Sequence, residues 1–206
     1  MVLRHFFWAV SLPFTLLMAP PATFGQGTNV LLSKSRLPSV ERKQALGVWL
    51  TNSPSPLYYD QQNIKQAVDE LEQAGFSVLY PNVWSRGTTF HTSEFAPIEP
   101  ALKSAGVTVD PICTLSKEAH KRGMKVVPWF EYGLMEPASA KVVQNNPNWV
   151  LSRANGDPVM KMHGKEMVWL NPAHPQVRER FIGLVVEVMK RCRMDGLQLD
   201  DHFAWP

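Results

Sequence analysis

Metal-ligand spacings and cysteine are scarce in this chain. No CxxC or HxxxH pattern occurs, which excludes a recognisable zinc site, and only two cysteines, Cys113 and Cys192, are present in 206 residues. They fall on helical or helix-start segments of different units, so nothing in the sequence pairs them, and they read as two free, partly buried thiols. Clustered basic charge is also rare. The formal net charge is +3, and the one dense group, Lys190-Arg191-Cys192-Arg193, lies at a predicted helix C-terminus, where the helix dipole favours cations. No nucleic-acid partner is expected. With 19% charged and 45% hydrophobic residues the composition is that of an ordinary globular protein, without a disorder signature.

A membrane-spanning run is missing as well. The longest apolar stretch near the N-terminus, Phe6 to Ala19, is too short to cross a bilayer comfortably. Arg4 and His5 precede it, and Pro20-Pro21-Ala22-Thr23-Phe24-Gly25 follows. Charge, apolar core and small residues in that order predict an export signal over residues 1–25, cleaved near Gly25. No cysteine lies just after the apolar run, which argues against a lipoprotein anchor. The expectation is a secreted or periplasmic protein with no stable membrane anchor after cleavage. Residues 26–45 are polar and aperiodic and read as a linker.

From Leu46 onward strands and helices alternate. Leu46 to Thr51 is a first strand; Asp60 can cap a helix whose Ile64, Ala67, Val68 and Leu71 share a face, and Gly75 supplies its left-handed stop. Phe76 to Trp84 is a second strand, followed by an excursion from Ser85 to about Cys113. Thr114 to Arg122 is a short helix, Lys125 to Glu131 a third strand, and a second excursion runs from Tyr132 to His174. Pro175 opens a helix with the stripe Val177, Phe181, Leu184, Val188 and Cys192; Asp195-Gly196 then turns the chain into a fourth strand, Leu197 to Asp200.

This alternation implies an α/β fold with a parallel sheet and helical crossovers. A doubly wound nucleotide-binding sheet would carry a Gly-rich turn after its first strand, and Thr51-Asn52-Ser53-Pro54 is not one. Long, polar segments after strand ends are the mark of a (β/α)8 barrel, whose sites lie on that rim. Such a barrel has eight units, so residues 46–206 are expected to be its N-terminal half, truncated to about the first four. The first and fourth strands would then be open edges, available for self-association.

Strand alternation selects the candidate site. Leu197 and Leu199 suit the helix-facing side, which points Gln198 and Asp200 inward. Asp200 at the rim is a candidate nucleophile, acid or charge stabiliser, with Asp201 beside it and Glu131, ending the third strand, as a second carboxyl group. Loop capping or ion binding by the Asp pair, and for Glu131 a salt bridge to Lys125 or Arg86, are the bland alternatives. Trp49, Trp84 and Trp129 could stack on sugar faces, and Asn82, Arg86 and His202 could hydrogen-bond hydroxyls or carboxylates. Trp149, Trp169 and Trp205 add aromatic surface. His120 reads as structural, and His91, His163 and His174 fall in the excursions without an assigned place.

The same residues carry a family resemblance. Gly47-Val48-Trp49, Asn82-Val83-Trp84 with Arg86-Gly87, Asp110-Pro111, and Glu118-Ala119-His120-Lys121-Arg122-Gly123 recur in order. They are followed by Trp169-Leu170-Asn171-Pro172, His174-Pro175, Val177-Arg178, and Asp195-Gly196 leading to Asp200-Asp201. Over Leu46 to Pro206 the chain resembles glycosyl-hydrolase-like family 10. The resemblance implies an exported barrel protein that hydrolyses glycosidic bonds of an extracytoplasmic polysaccharide, for some members peptidoglycan glycan strands stripped of peptides, and needs no cofactor. Where members often carry His-Ala-Trp-Phe-Asn on the third strand, this chain has Val127-Pro128-Trp129-Phe130-Glu131. The competing classes are a non-catalytic cell-wall glycan-binding protein and a metal-dependent sugar deacetylase using His and Asp ligands.

Overall fold

The computed structural model describes residues 45–52, 55–162, 164–199 and 201–203. The expected signal segment, the linker up to residue 44, His163, Asp200 and Trp205 lie outside the described residues, as does the side chain of Asp201.

Strand β1 (Gly47–Leu50) is followed by a 3-10 turn at Leu57–Tyr59 and helix α1 (Gln61–Gln73). Asp60 caps α1, accepting the Gln62 N–H at 2.8 Å, and the buried positions Ile64 and Val68 sit one turn apart on its inner face. Gly75, at φ +85°, ends the helix as expected, with the Phe76 N–H returning to the Leu71 carbonyl at 3.0 Å. Strand β2 (Val78–Ser85) then turns directly into β3 (Thr88–Thr89), a hairpin inside the first excursion.

That excursion also holds α2 (Pro100–Ser104) before α3 (Pro111–Lys121) begins. Asp110 caps α3 through two backbone N–H groups, those of Ile112 and Cys113, so the helix starts earlier than the apolar periodicity predicts. The third barrel strand is split into β4 (Lys125–Val126) and β5 (Trp129–Phe130), because Pro128 between them has no N–H to donate.

The second excursion is a small domain element rather than a bare loop. It contains β6 (Met135–Pro137), α4 (Lys141–Asn145), β7 (Met160–Met162) and β8 (Lys165–Trp169), and its strands form an antiparallel sheet in the order β6-β8-β7. Helix α5 (Pro175–Arg191) and strand β9 (Gln198–Leu199) complete the described fold.

The main sheet runs β1-β2-β5-β9, with β4 beside β2, and every pairing among these strands is parallel. Chain order equals spatial order. A doubly wound sheet reverses direction partway, so this order belongs to a barrel. Curvature agrees: Trp49 Nε1 on β1 donates to Gln198 Oε1 on β9 at 3.0 Å. Three strand spacings of about 4.8 Å would separate those strands in a flat layer, beyond reach of two side chains standing off one face. The sheet is therefore concave on that face.

The convex face carries the core. Leu79, Val83, Val126 and Phe130 are fully buried together with Ile64, Val68, Ile112, Leu115, Ala119, Leu184 and Val188 of the helices. Each such side chain contributes roughly 1.5–3 kcal/mol by leaving water. Polar clasps hold the layers in register. Arg122, after α3, pairs with Asp69 of α1 and with Glu118, whose carboxyl is held below its usual range chiefly by the Lys121 ammonium. Asp195 joins the third and fourth barrel strands, accepting from Lys125 Nζ at 2.8 Å, His120 Nε2 at 2.7 Å and the Val126 N–H at 2.9 Å. Burial works to raise its pKa, but these bonds prevail and hold it at about 2.

Two expectations are corrected. Cys113 and Cys192 are not free: they form a disulfide with Cα atoms 4.4 Å apart across a sequence separation of 79. The reason is topological, since α3 and α5 precede adjacent barrel strands and their ends meet. Leu197 and Leu199, assigned to a covered helix-facing side, are 42% and 48% exposed, because β9 is the outermost strand of the sheet. Among the described residues no helix is long and apolar enough to cross a membrane.

Candidate active-site rim

The concave face is read from the strand register. Trp49 pairs with Tyr80, Asn82 with Trp129, and Trp129 with Gln198. Paired residues of parallel strands point the same way. Trp49 stacks on Tyr80 with centroids 5.3 Å apart, and the Tyr80 ring lies over Gly47, where a Cβ would come within 2.6 Å of it. That contact explains a glycine in Gly47-Val48-Trp49. Trp49 remains 56% exposed.

Glu131, directly after β5, is the centre of the rim. Its Oε2 accepts from Asn82 Nδ2 at 2.6 Å and from Ser85 Oγ at 3.3 Å. Neither Lys125 nor Arg86 neutralises it: Lys125 pairs with Asp195, and Arg86 Nε donates to the Tyr132 hydroxyl at 3.1 Å. Asn82 is fully buried, reaches Asn52 Oδ1 at 3.4 Å with the same amide nitrogen, and its own Oδ1 accepts no hydrogen bond among the described residues. Asn82 thus holds a carboxylate instead of lying open to a ligand. An orphaned acceptor beside a carboxylate is the kind of exception that buried polar groups show at functional sites.

A second group adjoins Glu131. The Glu131 carbonyl, which can only accept, takes its hydrogen bond from His202 Nδ1 at 2.7 Å, so that nitrogen carries the proton. The His202 ring stacks on Tyr132 at 4.9 Å with 2° between planes, and the Arg86 guanidinium lies 5.4 Å from the Tyr132 centroid. Arg86 and Gly87 form the two-residue turn between β2 and β3, at φ +51° and +81°. Positive φ at both central positions is the geometry of a twisted hairpin turn. For Arg86 it costs roughly 1–2 kcal/mol.

Trp84 needs correction as a sugar platform. It is 1% exposed, donates its indole N–H to the Gly133 carbonyl at 2.9 Å and carries the Arg180 guanidinium 5.4 Å from its ring. The β-bulge between Asn82 and Trp84 turns it towards α5 and the core. Trp129 is half-buried in register with Asn82 and Gln198.

Sequence reasoning missed Glu136 on β6. It is 1% exposed, accepts Arg180 Nη1 at 2.7 Å through Oε1, and burial pushes its carboxyl above the ordinary range against the pull of Arg180. Its Oε2 faces Gly87, where a Cβ would lie 2.4 Å away. The legible signal was Arg86-Gly87 itself; the partner came from a distant excursion.

Residues 44–206 match the family model for glycosyl hydrolase-like 10. The chain belongs to that family. Among its curated relatives is glycosyl hydrolase DigH of Escherichia coli K12, 26% identical over 208 residues, covering 89% of this chain and 44% of DigH. The chain therefore spans less than half the length of that relative. Solved structures of similar fold include α-L-fucosidase isoenzyme 2 of Paenibacillus thiaminolyticus, with a TM-score of 0.58, 18% identity, and 77% and 24% of the two chains covered. The α-galactosidase TtGalA of Thermus thermophilus has a TM-score of 0.55 and 19% identity, over 76% of this chain and 30% of that one. The fold of this family member is accordingly that of the barrel glycosidases, present as four parallel barrel strands joined by the crossover helices α1, α3 and α5, with no closed barrel among the described residues.

Proposed function

We propose that the chain supplies one half of a glycoside hydrolase site that acts on an extracytoplasmic polysaccharide, peptidoglycan glycan strands being the candidate substrate. The observation that carries the reading is Glu131, fixed by Asn82 and Ser85 where the third barrel strand ends, on the concave face that also carries exposed Trp49. Carboxyl groups at strand ends are the working parts of barrel glycosidases. One protonates the leaving oxygen while the other attacks the anomeric carbon or activates water. By sequence alternation from Gln198, position 200 falls to the same face, so Asp200 is the proposed partner of Glu131, with Asp201 next to it. Arg86, Trp129 and His202 are assigned to sugar contact.

An oxidising compartment suits the disulfide, which supports export by the N-terminal segment. Exposed Leu46, Trp49, Leu197 and Leu199 on the outer strands support pairing of the sheet edges with further strands, another copy included. The experiment is digestion of denuded glycan strands, with detection of new reducing ends, by the chain alone, which is expected to be inactive or weak, and by the chain completed with the remaining barrel units of a family member. Release by the completed barrel, abolished by Asp200→Asn, is the expected result. Retention on sacculi without any release would favour the glycan-binding role, for which exposed Trp49 is the specific observation.

A further inference from the structure

Helices α3 and α5 line a cavity of about 570 Å³. Ser116, Lys117 and Lys121 of α3 form one wall, Arg191 and Arg193 at the end of α5 form the other, and the Cys113–Cys192 disulfide joins the two. None of its lining residues is acidic. The basic group that reads in the sequence as a helix end is thus one half of a larger feature. Only Lys190 and Arg191 lie in the last turn of α5, where they offset the helix dipole. Arg193 lies beyond that turn, and α3 brings two lysines to the same space.

The carboxylates nearby are already taken. Glu118 accepts from Lys121 Nζ at 2.7 Å and also pairs with Arg122, Asp195 is held by His120 and Lys125, and Glu187 reaches Arg191 at 3.9 Å. Asp110 has a carboxylate oxygen within 4.8 Å of both sulfurs, yet it does not line the cavity and accepts the backbone N–H groups of Thr92, Ile112 and Cys113. Lys117 and Arg193, one on each wall, have no ion pair among the described residues. A concavity lined by charge of one sign concentrates its field on a counter-ion. Two unbalanced cations call for an anion with two charges. A carboxylate carries one, whereas a phosphate monoester carries about 1.5 to 2 at pH 7 and presents three acceptor oxygens, which suit the fork of a guanidinium. The volume falls in the range of about 300–1,000 Å³ usual for small-molecule sites, so an organic body fits beside the phosphate.

We infer that this cavity binds a small organic phosphate monoester, its phosphate held between Lys117 and Arg193. The disulfide pins the two walls before the ligand arrives, which lowers the ordering cost of binding. The site is separate from the Glu131 rim and does not depend on the hydrolase reading.

The test is calorimetric titration of the full chain with glycerol 3-phosphate, and separately with glycerol and with acetate, at low ionic strength. Saturable one-site binding of glycerol 3-phosphate is expected, with acetate at least about tenfold weaker and glycerol silent. Lys117→Gln and Arg193→Gln, both at exposed positions, should each weaken binding about tenfold. Lys161→Gln, which removes an equal charge from β7, should leave it unchanged. Co-sedimentation with phosphatidic acid vesicles separates the two sources of such a phosphate. Pelleting that glycerol 3-phosphate reverses assigns it to a lipid headgroup, and binding of the soluble ester without pelleting assigns it to a dissolved molecule. No saturable binding, equal affinity for acetate, or an equal loss in all three variants would overturn the inference.

Discussion

Two neutral donors converge on a single oxygen of Glu131, while its Oε1 has no partner among the described residues. Such a group is fixed in direction yet free on one side, which is what proton transfer to a bound substrate needs. Glu131→Gln keeps the shape and can still accept from Asn82. The expected outcome in the reducing-end assay is a loss of about 100-fold or more in rate, with a urea midpoint close to that of the parent chain. A parallel loss of stability would make Glu131 a structural residue. Gly87 offers a second residue-scale prediction. Alanine there meets both a φ of +81° and the Glu136 carboxylate, whereas alanine at Gly75, φ +85°, meets open space. Gly75→Ala should cost about 1 kcal/mol, and Gly87→Ala at least about 2 kcal/mol more by urea unfolding. Equal costs would show that Glu136 yields freely.

At the scale of elements, the strands and long helices were legible because each carried its own signal. Asp60, Gly75 and the Ile64–Val68 spacing bounded α1, and Pro175 and its apolar stripe bounded α5. What sequence did not reveal was decided by partners far along the chain. Trp84 follows the alternation of an inward residue until a bulge turns it into the core, and bulges leave no local mark when the bulged residues are ordinary. The β6-β8-β7 sheet escaped because its strands are short and its pairing spans the excursion. Cys113 and Cys192 meet only once two helices stand side by side. Asp195 shows how an element is locked: three donors hold its carboxyl near pKa 2, below the usual 3.8. A depressed folded-state pKa gives stability that is complete above about pH 4 and is lost as pH falls through about 2. Asp195→Asn should therefore cost about 2 kcal/mol at pH 7, with the difference from the parent chain shrinking between pH 4 and pH 2. A constant difference over that range would refute the assignment.

For the molecule as a whole, the disulfide joins the start of α3 to the end of α5 and so closes α3, the split third barrel strand, the second excursion and α5 into one loop. Closing a loop of that size restricts the unfolded chain. Double replacement, Cys113→Ser with Cys192→Ser, should lower stability by about 2–4 kcal/mol, read from urea unfolding with and without reductant. Reductant should reproduce the effect in the parent chain and do nothing in the variant. The fold class was readable at this scale, since strand-helix alternation and the missing phosphate turn already pointed to a barrel. The sequential strand order and the Trp49–Gln198 bond then decided it, and neither is a property of any local segment.

That bond has an optical consequence. Trp49 is half in water while its indole N–H is anchored to the far strand, so its emission reports on whatever comes to roof the concave face. Any polypeptide completing the cylinder would dehydrate this ring and shift its fluorescence to shorter wavelength, giving the molecule a built-in gauge of its own closure.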